Sequence, residues 1–140
     1  MVTVIDGTDY IFGRLATRIA KKALQGEEIQ LINAENIVVL GNPKQIRDRY
    51  AERRALVSKS NPEHAAKWPR VPHMLVKRMI RGMLPWKRTR GKDAYRRIIV
   101  HTGNPKKLTA TEFQSDKYDG IAKHVTIKQM CESAGYQIRV

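Results

Sequence analysis

Residues 2–32, VTVIDGTDYIFGRLATRIAKKALQGEEIQLI, decide the fold class of this chain. Residues 2–5 form a short apolar run closed by an Asp-Gly turn pair, which predicts a buried strand. Over residues 13–25 apolar side chains recur at helical spacing, and Gly26 is the expected stop. Residues 29–32 predict a second strand. A strand, a helix and a strand in this order predict a parallel pair joined by a right-handed crossover.

Further strands and helices follow. Residues 37–40 and 98–101 predict a third and a fourth strand. Asn42 is a candidate N-cap for a helix over residues 43–56. Thr126 can cap a last helix that ends before Gly135. Four residues separate the second strand from the third, too few for an ordinary parallel crossover, so the pairing of the third strand stays open.

The strand segments are short apolar runs without alternation, so we expect them to be buried on both faces of one sheet. We expect the sheet to be lined by Val4, Ile5, Leu31, Ile32, Val39, Ile99 and Val100. From the first helix, we expect Leu15, Ile19 and Leu24 to pack on it.

Length and charge narrow the class further. A chain of 140 residues can form one domain with a real core. We expect a single domain over residues 1–140, with residues 106–125 as an irregular surface segment. The formal net charge is +14, and residues 67–97 hold eleven Lys or Arg against one acid. A cationic surplus this concentrated predicts a nucleic-acid partner first and an acidic membrane surface second.

The basic block has a pattern of its own. Lys77 and Arg81 are four residues apart, whereas Leu75, Met79 and Met83 keep the helical apolar spacing, which predicts a helix that buries one side and presents cations on the other. The Gly and Pro in residues 82–85 predict a break in that helix near Leu84.

Two tryptophans accompany the cations. Trp86 follows the predicted break, and its ring either stacks on a nucleotide or belongs to the core; the sequence fits both placements. Trp68 lies in a proline-rich loop and is a second candidate contact. The helix over residues 43–56 adds Arg47 and Arg54 as candidates, although its interleaved acids predict a helix laced with salt bridges.

Other functions find little support. The segment around Gly7 and Gly13 fails as a P-loop because five residues separate the glycines and Arg14 stands in place of lysine. The four histidines lack metal-ligand spacing, and no nucleophile stands beside a carboxylate pair, so we expect no catalytic residue, metal, cofactor or small-molecule substrate. An enzyme acting on nucleic acid remains the rival hypothesis.

The compartment is also constrained. Cys131 is the only cysteine, which fits a reducing compartment. No apolar run approaches the ~20 residues that span a bilayer. We therefore expect a soluble, cytoplasmic protein without membrane association.

Three segments together resemble the large-subunit ribosomal protein family L thirteen: DGTDYIFGRLATRIAK, LINAENIVVLGNPK and RGMLPWKRTRGKDAYRRIIVHTGNP. The run Arg81-Gly82-Met83-Leu84-Pro85 is the most specific of these marks. The link after Gly26 is short, so the archaeal type is the closest resemblance.

That resemblance implies a three-layer α/β/α fold around a four-stranded, mainly parallel sheet with basic helices. It also implies a structural constituent of the large ribosomal subunit that binds ribosomal RNA, supports assembly, contacts neighbouring large-subunit proteins and has no catalytic activity. The family's RNA-facing helices map here onto Lys77, Arg78, Arg81, Lys87, Arg88, Arg90, Lys92, Arg96 and Arg97.

Overall fold

The computed structural model describes residues 1–137 and confirms the α/β class. Its elements in chain order are β1 (Val2–Asp6), α1 (Phe12–Leu24), β2 (Glu28–Ile32), β3 (Val38–Leu40), α2 (Pro43–Ala55), α3 (Pro72–Arg81), α4 (Thr89–Arg97), β4 (Ile98–Val100), β5 (His124–Thr126) and α5 (Ile127–Ser133). Single 3₁₀ turns occupy Ala34–Asn36 and Pro62–His64. Residues 106–123 form neither helix nor strand.

The main sheet has three parallel strands in the order β1-β2-β4, so the expectation of four strands was wrong. Strand β3 leaves this sheet and pairs antiparallel with β5. The physical reason is the short link after β2, in which Asn33 adopts a left-handed conformation and Ala34–Asn36 forms a 3₁₀ turn. A link of this length cannot cross over a sheet, so β3 finds its partner near the other end of the chain.

Burial alternates along the main sheet, in contrast to the prediction that both faces are covered. Ile5, Leu31 and Val100 lie in register and are buried, whereas Val4 is only partly buried. Ile99 was expected in the core, but its exposed fraction is 42%. Strand β4 lies at the edge of the sheet, and its Ile99 points to the more open face.

Three helix termini lie at the residues that the sequence indicated, whereas α3 ends at Arg81, before the break expected near Leu84. Gly26, with φ of 100°, follows α1, and the Asn42 side chain accepts a hydrogen bond from the backbone N–H of Lys44 at the start of α2. Thr126 and Gln129 form a reciprocal capping box at the start of α5. Each cap satisfies backbone groups that a helix end leaves unpaired.

The connection between α3 and α4 is a compact turn around Pro85. Helix α3 ends at Arg81, and the Arg88 N–H donates to the Pro85 carbonyl at 3.0 Å. Gly91 of α4 lies directly against this turn, because a Cβ at Gly91 would stand 2.1 Å from the Pro85 oxygen. The turn and α4 can therefore approach closely only with glycine at this position.

Within residues 1–137, no helix combines the length and apolar character needed to cross a lipid bilayer.

Candidate nucleic-acid interface

Helices α3 and α4, the turn between them and the loop before α3 carry the block of positive charge. We call residues 67–97 the basic corner. Helix α3 buries Leu75, Val76 and Ile80, and α4 buries Gly91 and Ala94, so each helix has one side in the core and a cationic side away from it. The sequence predicted this amphipathic arrangement for α3.

Three cations of the basic corner lie over aromatic rings. The pairs, with distances from the cationic group to the ring centroid, are Arg81 on Trp86 at 4.2 Å, Lys77 on Tyr95 at 4.6 Å and Arg78 on Trp68 at 5.1 Å. Such contacts hold a cation in place without neutralising its charge. Burial lowers the pKa of Lys77 below its ordinary value.

Two arginines of α4 bind the end of α1. Arg97 donates to the Ala23 carbonyl at 3.3 Å, and Arg90 donates to the Leu24 carbonyl at 3.4 Å. Cations stabilise a helix C-terminus, where carbonyl groups lack intrahelical partners. Arg90 and Arg97 thus have a structural role that their place in a basic sequence did not reveal.

The remaining cations of α4 and the turn are exposed. Among residues 1–137, the side chains of Lys87, Arg88 and Lys92 make no ion pair or hydrogen bond, and Arg96 contacts Asp93 at 3.4 Å. Arg96 is the one cation of the basic corner that meets a carboxylate within the described chain.

Trp86 and Trp68 are both half-buried. Trp86 meets the edge of Tyr95, with ring centroids 5.1 Å apart and an interplanar angle of 83°. Trp68 packs against the margin of the core. Each ring therefore has packing contacts and also surface that a partner can reach. Tyr95, which contacts Trp86 and Lys77, was not among the predicted site residues, although its position in a basic run was an available signal.

Helix α2 adjoins the basic corner through Arg54, which donates to the Trp68 carbonyl at 3.0 Å. Arg47 is exposed and hydrogen-bonds within its own helix, to the Pro43 carbonyl. The expected lacing of α2 by salt bridges was wrong: in the described chain none of its residues forms an ion pair. Asp48 and Glu52 are four residues apart, so these acids neighbour each other on the helix surface.

Three acids outside the basic corner make contacts within the fold. Asp116 pairs with Arg14, and Glu27 pairs with Lys22 at 3.1 Å. The buried Glu35 accepts from the Gly103 N–H at 2.9 Å. These carboxylates stand in structural contacts and not beside a nucleophile.

Asp6 also has a structural environment. It accepts hydrogen bonds from Thr8 and Asn33. Although burial opposes the charged form, the bonds from Asn33 and Thr8 hold the pKa of Asp6 below its ordinary value.

The glycine-bracketed segment before α1 is a packing feature. A Cβ at Gly7 would stand 2.8 Å from the Ile37 side chain, so glycine permits close approach there. A Cβ at Gly13 would meet no atom within 4 Å, and Arg14 is engaged with Asp116. This supports the interpretation of the segment as a turn and not as a phosphate loop.

Thiol and imidazole groups show no arrangement for catalysis. Cys131 is buried, and this burial raises its thiol pKa to about 12. Burial lowers the pKa of His73, which contacts the Thr102 hydroxyl at 3.2 Å. Residues 1–137 contain no cluster of three or more potential metal ligands.

The chain matches the family model described as "Ribosomal protein L13" over residues 1–107. It is 41% identical to the large ribosomal subunit protein uL13 of Methanocaldococcus jannaschii, covering 96% of this chain and 98% of that protein. Identity is 38% with the Archaeoglobus fulgidus protein of the same name, over 96% and 88% of the two chains. For the Methanopyrus kandleri protein it is 31%, over 97% and 88%.

These relatives are archaeal, as the resemblance in the sequence suggested, and the family consists of structural proteins and not of enzymes. The matched region includes the whole basic corner. By family match and by identity over nearly its full length, the chain belongs to the ribosomal protein L13 family.

Proposed function

We propose that this protein is a structural constituent of the large ribosomal subunit, where it binds ribosomal RNA through the basic corner and supports subunit assembly. Its archaeal relatives are named large ribosomal subunit protein uL13, which supports the assignment to that subunit. Neighbouring large-subunit proteins are its further partners, and the ribosome in the cytoplasm is its location. The whole chain acts as a single folding unit.

One observation carries the RNA-binding part of this proposal. The basic corner holds eleven Lys or Arg, yet within residues 1–137 only Arg96 contacts a carboxylate. The other cations lie over rings, on carbonyl groups or in solvent. A surface that keeps this much charge uncompensated repels itself until an anion arrives, and an RNA backbone supplies closely spaced phosphates.

The role of each cation in this proposal follows from its contacts. Lys87, Arg88, Lys92 and Arg96 are exposed and can meet phosphates directly, while Lys77, Arg78 and Arg81 hold charge beside aromatic rings. Arg90 and Arg97 attach α4 to α1 and thereby set the orientation of the exposed set. Arg47, Arg54 and Trp68 extend the same surface toward α2.

Sedimentation of cell extract at low and high salt tests the proposal. We expect the wild-type protein to migrate with large subunits, and a triple Lys87→Gln, Arg88→Gln, Lys92→Gln variant to be released at lower salt. Phosphate contacts make affinity depend steeply on salt, so removing three contacts should separate the two proteins clearly.

A matched control removes the same charge elsewhere, at the exposed Lys106, Lys123 and Lys128. This triple variant should stay with the subunits as the wild-type protein does. Free migration of the wild-type protein at both salt concentrations would exclude the proposed role. Equal release of the two triple variants would exclude the basic corner as the RNA surface.

A further inference from the structure

A cleft opens between the loop before α3 and the two basic helices. Its volume is about 370 Å³. The lining, which we call the aromatic cleft, contains no acid and combines two rings, a methionine and three cations: Trp68, Tyr95, Met74, Lys67, Lys77 and Arg78. Flat apolar walls and uncompensated cations in one small space suit a ligand that is both planar and anionic.

The loop side of the aromatic cleft is fixed by α2. The Tyr50 hydroxyl donates to the Pro69 carbonyl at 2.5 Å, and Arg54 donates to the neighbouring Trp68 carbonyl at 3.0 Å. Two adjacent carbonyl groups of the loop are thus held by one helix. A wall fixed before binding saves the ordering cost that a mobile loop would pay.

Groups at the aromatic cleft lack the partners that they would have in a closed core. The Nε–H of Arg78 is buried and has no hydrogen-bond partner within residues 1–137. A buried donor without an acceptor costs free energy, so the hydrogen-bonding capacity of this guanidinium is not fully used within the described chain. Met74 is 52% exposed beside the rings, whereas Leu75, Val76 and Ile80 of the same helix are buried.

We infer that the aromatic cleft binds one unstacked nucleotide of the ribosomal RNA, with the base against the rings and the phosphate on the cations. This rests on the proposed function. Bases in a paired helix are stacked inside it, so a base that enters a cleft comes from a loop, a bulge or a single strand. An acidic peptide would satisfy the cations, but it has no planar group for the walls formed by Trp68 and Tyr95.

The first test compares two Tyr→Leu variants in binding to transcribed large-subunit ribosomal RNA over a series of salt concentrations. Tyr95→Leu removes a ring of the aromatic cleft, and Tyr118→Leu removes a similarly half-buried ring from the irregular segment. We expect Tyr95→Leu to bind about tenfold more weakly at every salt concentration, because stacking does not depend on counterions. Tyr118→Leu should bind like the wild-type protein.

A second pair of variants guards against a folding effect of Tyr95→Leu. Met74→Glu and Ile121→Glu place the same charge on exposed apolar positions, which are 52% and 87% exposed. Both should melt close to the wild-type temperature, and only Met74→Glu should lose about tenfold or more in affinity. Ultraviolet crosslinking of intact large subunits should leave a nucleotide adduct on the peptide that contains Trp68 or Tyr95.

The outcomes separate this inference from the proposed function. Steep salt-dependent binding by the wild-type protein, with undiminished affinity in Tyr95→Leu and Met74→Glu, would overturn the nucleotide site and leave RNA binding intact. Crosslinks from the aromatic cleft to a protein in place of RNA would overturn it in favour of a protein-docking site. Absence of wild-type binding to the transcript would remove the proposed function and this inference together.

Discussion

The unit β1-α1-β2 and the basic corner differ in the main partners of their cations. In the first, Arg14 and Lys22 meet carboxylates. In the second, the cations Lys77, Arg78 and Arg81 meet aromatic rings. An ion pair removes charge from the surface, whereas a ring positions a cation and leaves its charge available. The same residue types therefore form internal ion pairs in one region and keep their charge uncompensated in the other.

Repulsion among the uncompensated cations destabilises the basic corner, and packing within the fold offsets this. The basic corner must hold many like charges together before any anion arrives, which opposes folding. Its helices are held by buried apolar contacts and by the close approach of Gly91 to Pro85. Packing changes in the basic corner should therefore lower stability, and loss of an exposed cation such as Arg88 should lower RNA affinity while sparing stability.

The largest expected effect concerns β4, which follows α4 directly. Ile98 is fully buried and Ile99 is 42% exposed. Ile98→Ala should lower the free energy of unfolding by about 2 to 5 kcal/mol, because it leaves a cavity. Ile99→Ala should cost well under ~1 kcal/mol, since surface substitutions are usually small. Chemical denaturation of both variants measures this, and equal losses would contradict the alternating burial of the main sheet.

A second contrast uses the same substitution in the two regions. Gly91→Ala should destabilise the protein by about 1 to 3 kcal/mol, because its Cβ would overlap the Pro85 carbonyl. Gly13→Ala in α1 meets no atom within 4 Å and should stabilise by up to about 1 kcal/mol. Thermal melting of the two variants should show shifts of opposite sign. A tolerated Gly91→Ala would mean that α4 does not depend on this contact.

Periodicity and capping signals predicted the local elements well, as α1 with its stop at Gly26 and α5 with its cap at Thr126 show. They could not predict partners that are distant in sequence. The pairing of β3 with β5 joins residues far apart along the chain, and no local pattern contains that information. Ile99 was misassigned because an apolar run of three residues does not show which side of the sheet is covered.

The candidate interface shows the same division. The location of the charge followed from counting, but the division of the cations into those on rings, those on carbonyl groups and those in solvent needed the structure. Arg97 and Arg88 look equivalent in the sequence. In the fold, Arg97 binds the last turn of α1 and Arg88 faces solvent.

The third prediction asks whether a ring of the basic corner serves a partner as well as the fold. Trp86→Ala should weaken binding to ribosomal RNA by about 1 to 3 kcal/mol if a base or ribose stacks on the ring. It should also cost about 0.5 to 1.5 kcal/mol of stability through the lost contact with Tyr95. Phe12→Ala, at a half-buried ring of α1, should lower stability without lowering affinity. Binding assays on folded protein and melting curves separate the effect on affinity from the effect on stability in both variants. Unchanged affinity in Trp86→Ala would exclude stacking.

The smallest effect is the most direct measure of how each region uses its charge. Each phosphate contact displaces counterions, so log affinity falls with log salt by about 0.7 to 0.9 per contact, and roughly five to eight contacts give a slope near −4 to −7. Arg88→Gln should make this slope shallower by about one unit and leave the melting temperature unchanged, since its side chain is exposed.

Arg14→Gln should leave the slope nearly unchanged, because Asp116 already compensates that charge. Arg97→Gln should lower stability by up to about 1 kcal/mol through loss of its contact with the end of α1, with a smaller change in slope than Arg88→Gln. Salt titrations of the three variants against one RNA transcript compare the regions directly. If Arg14→Gln shifted the slope as much as Arg88→Gln, an ion pair would not have withdrawn that cation from the RNA surface, and the contrast between ion-paired and uncompensated charge would fail.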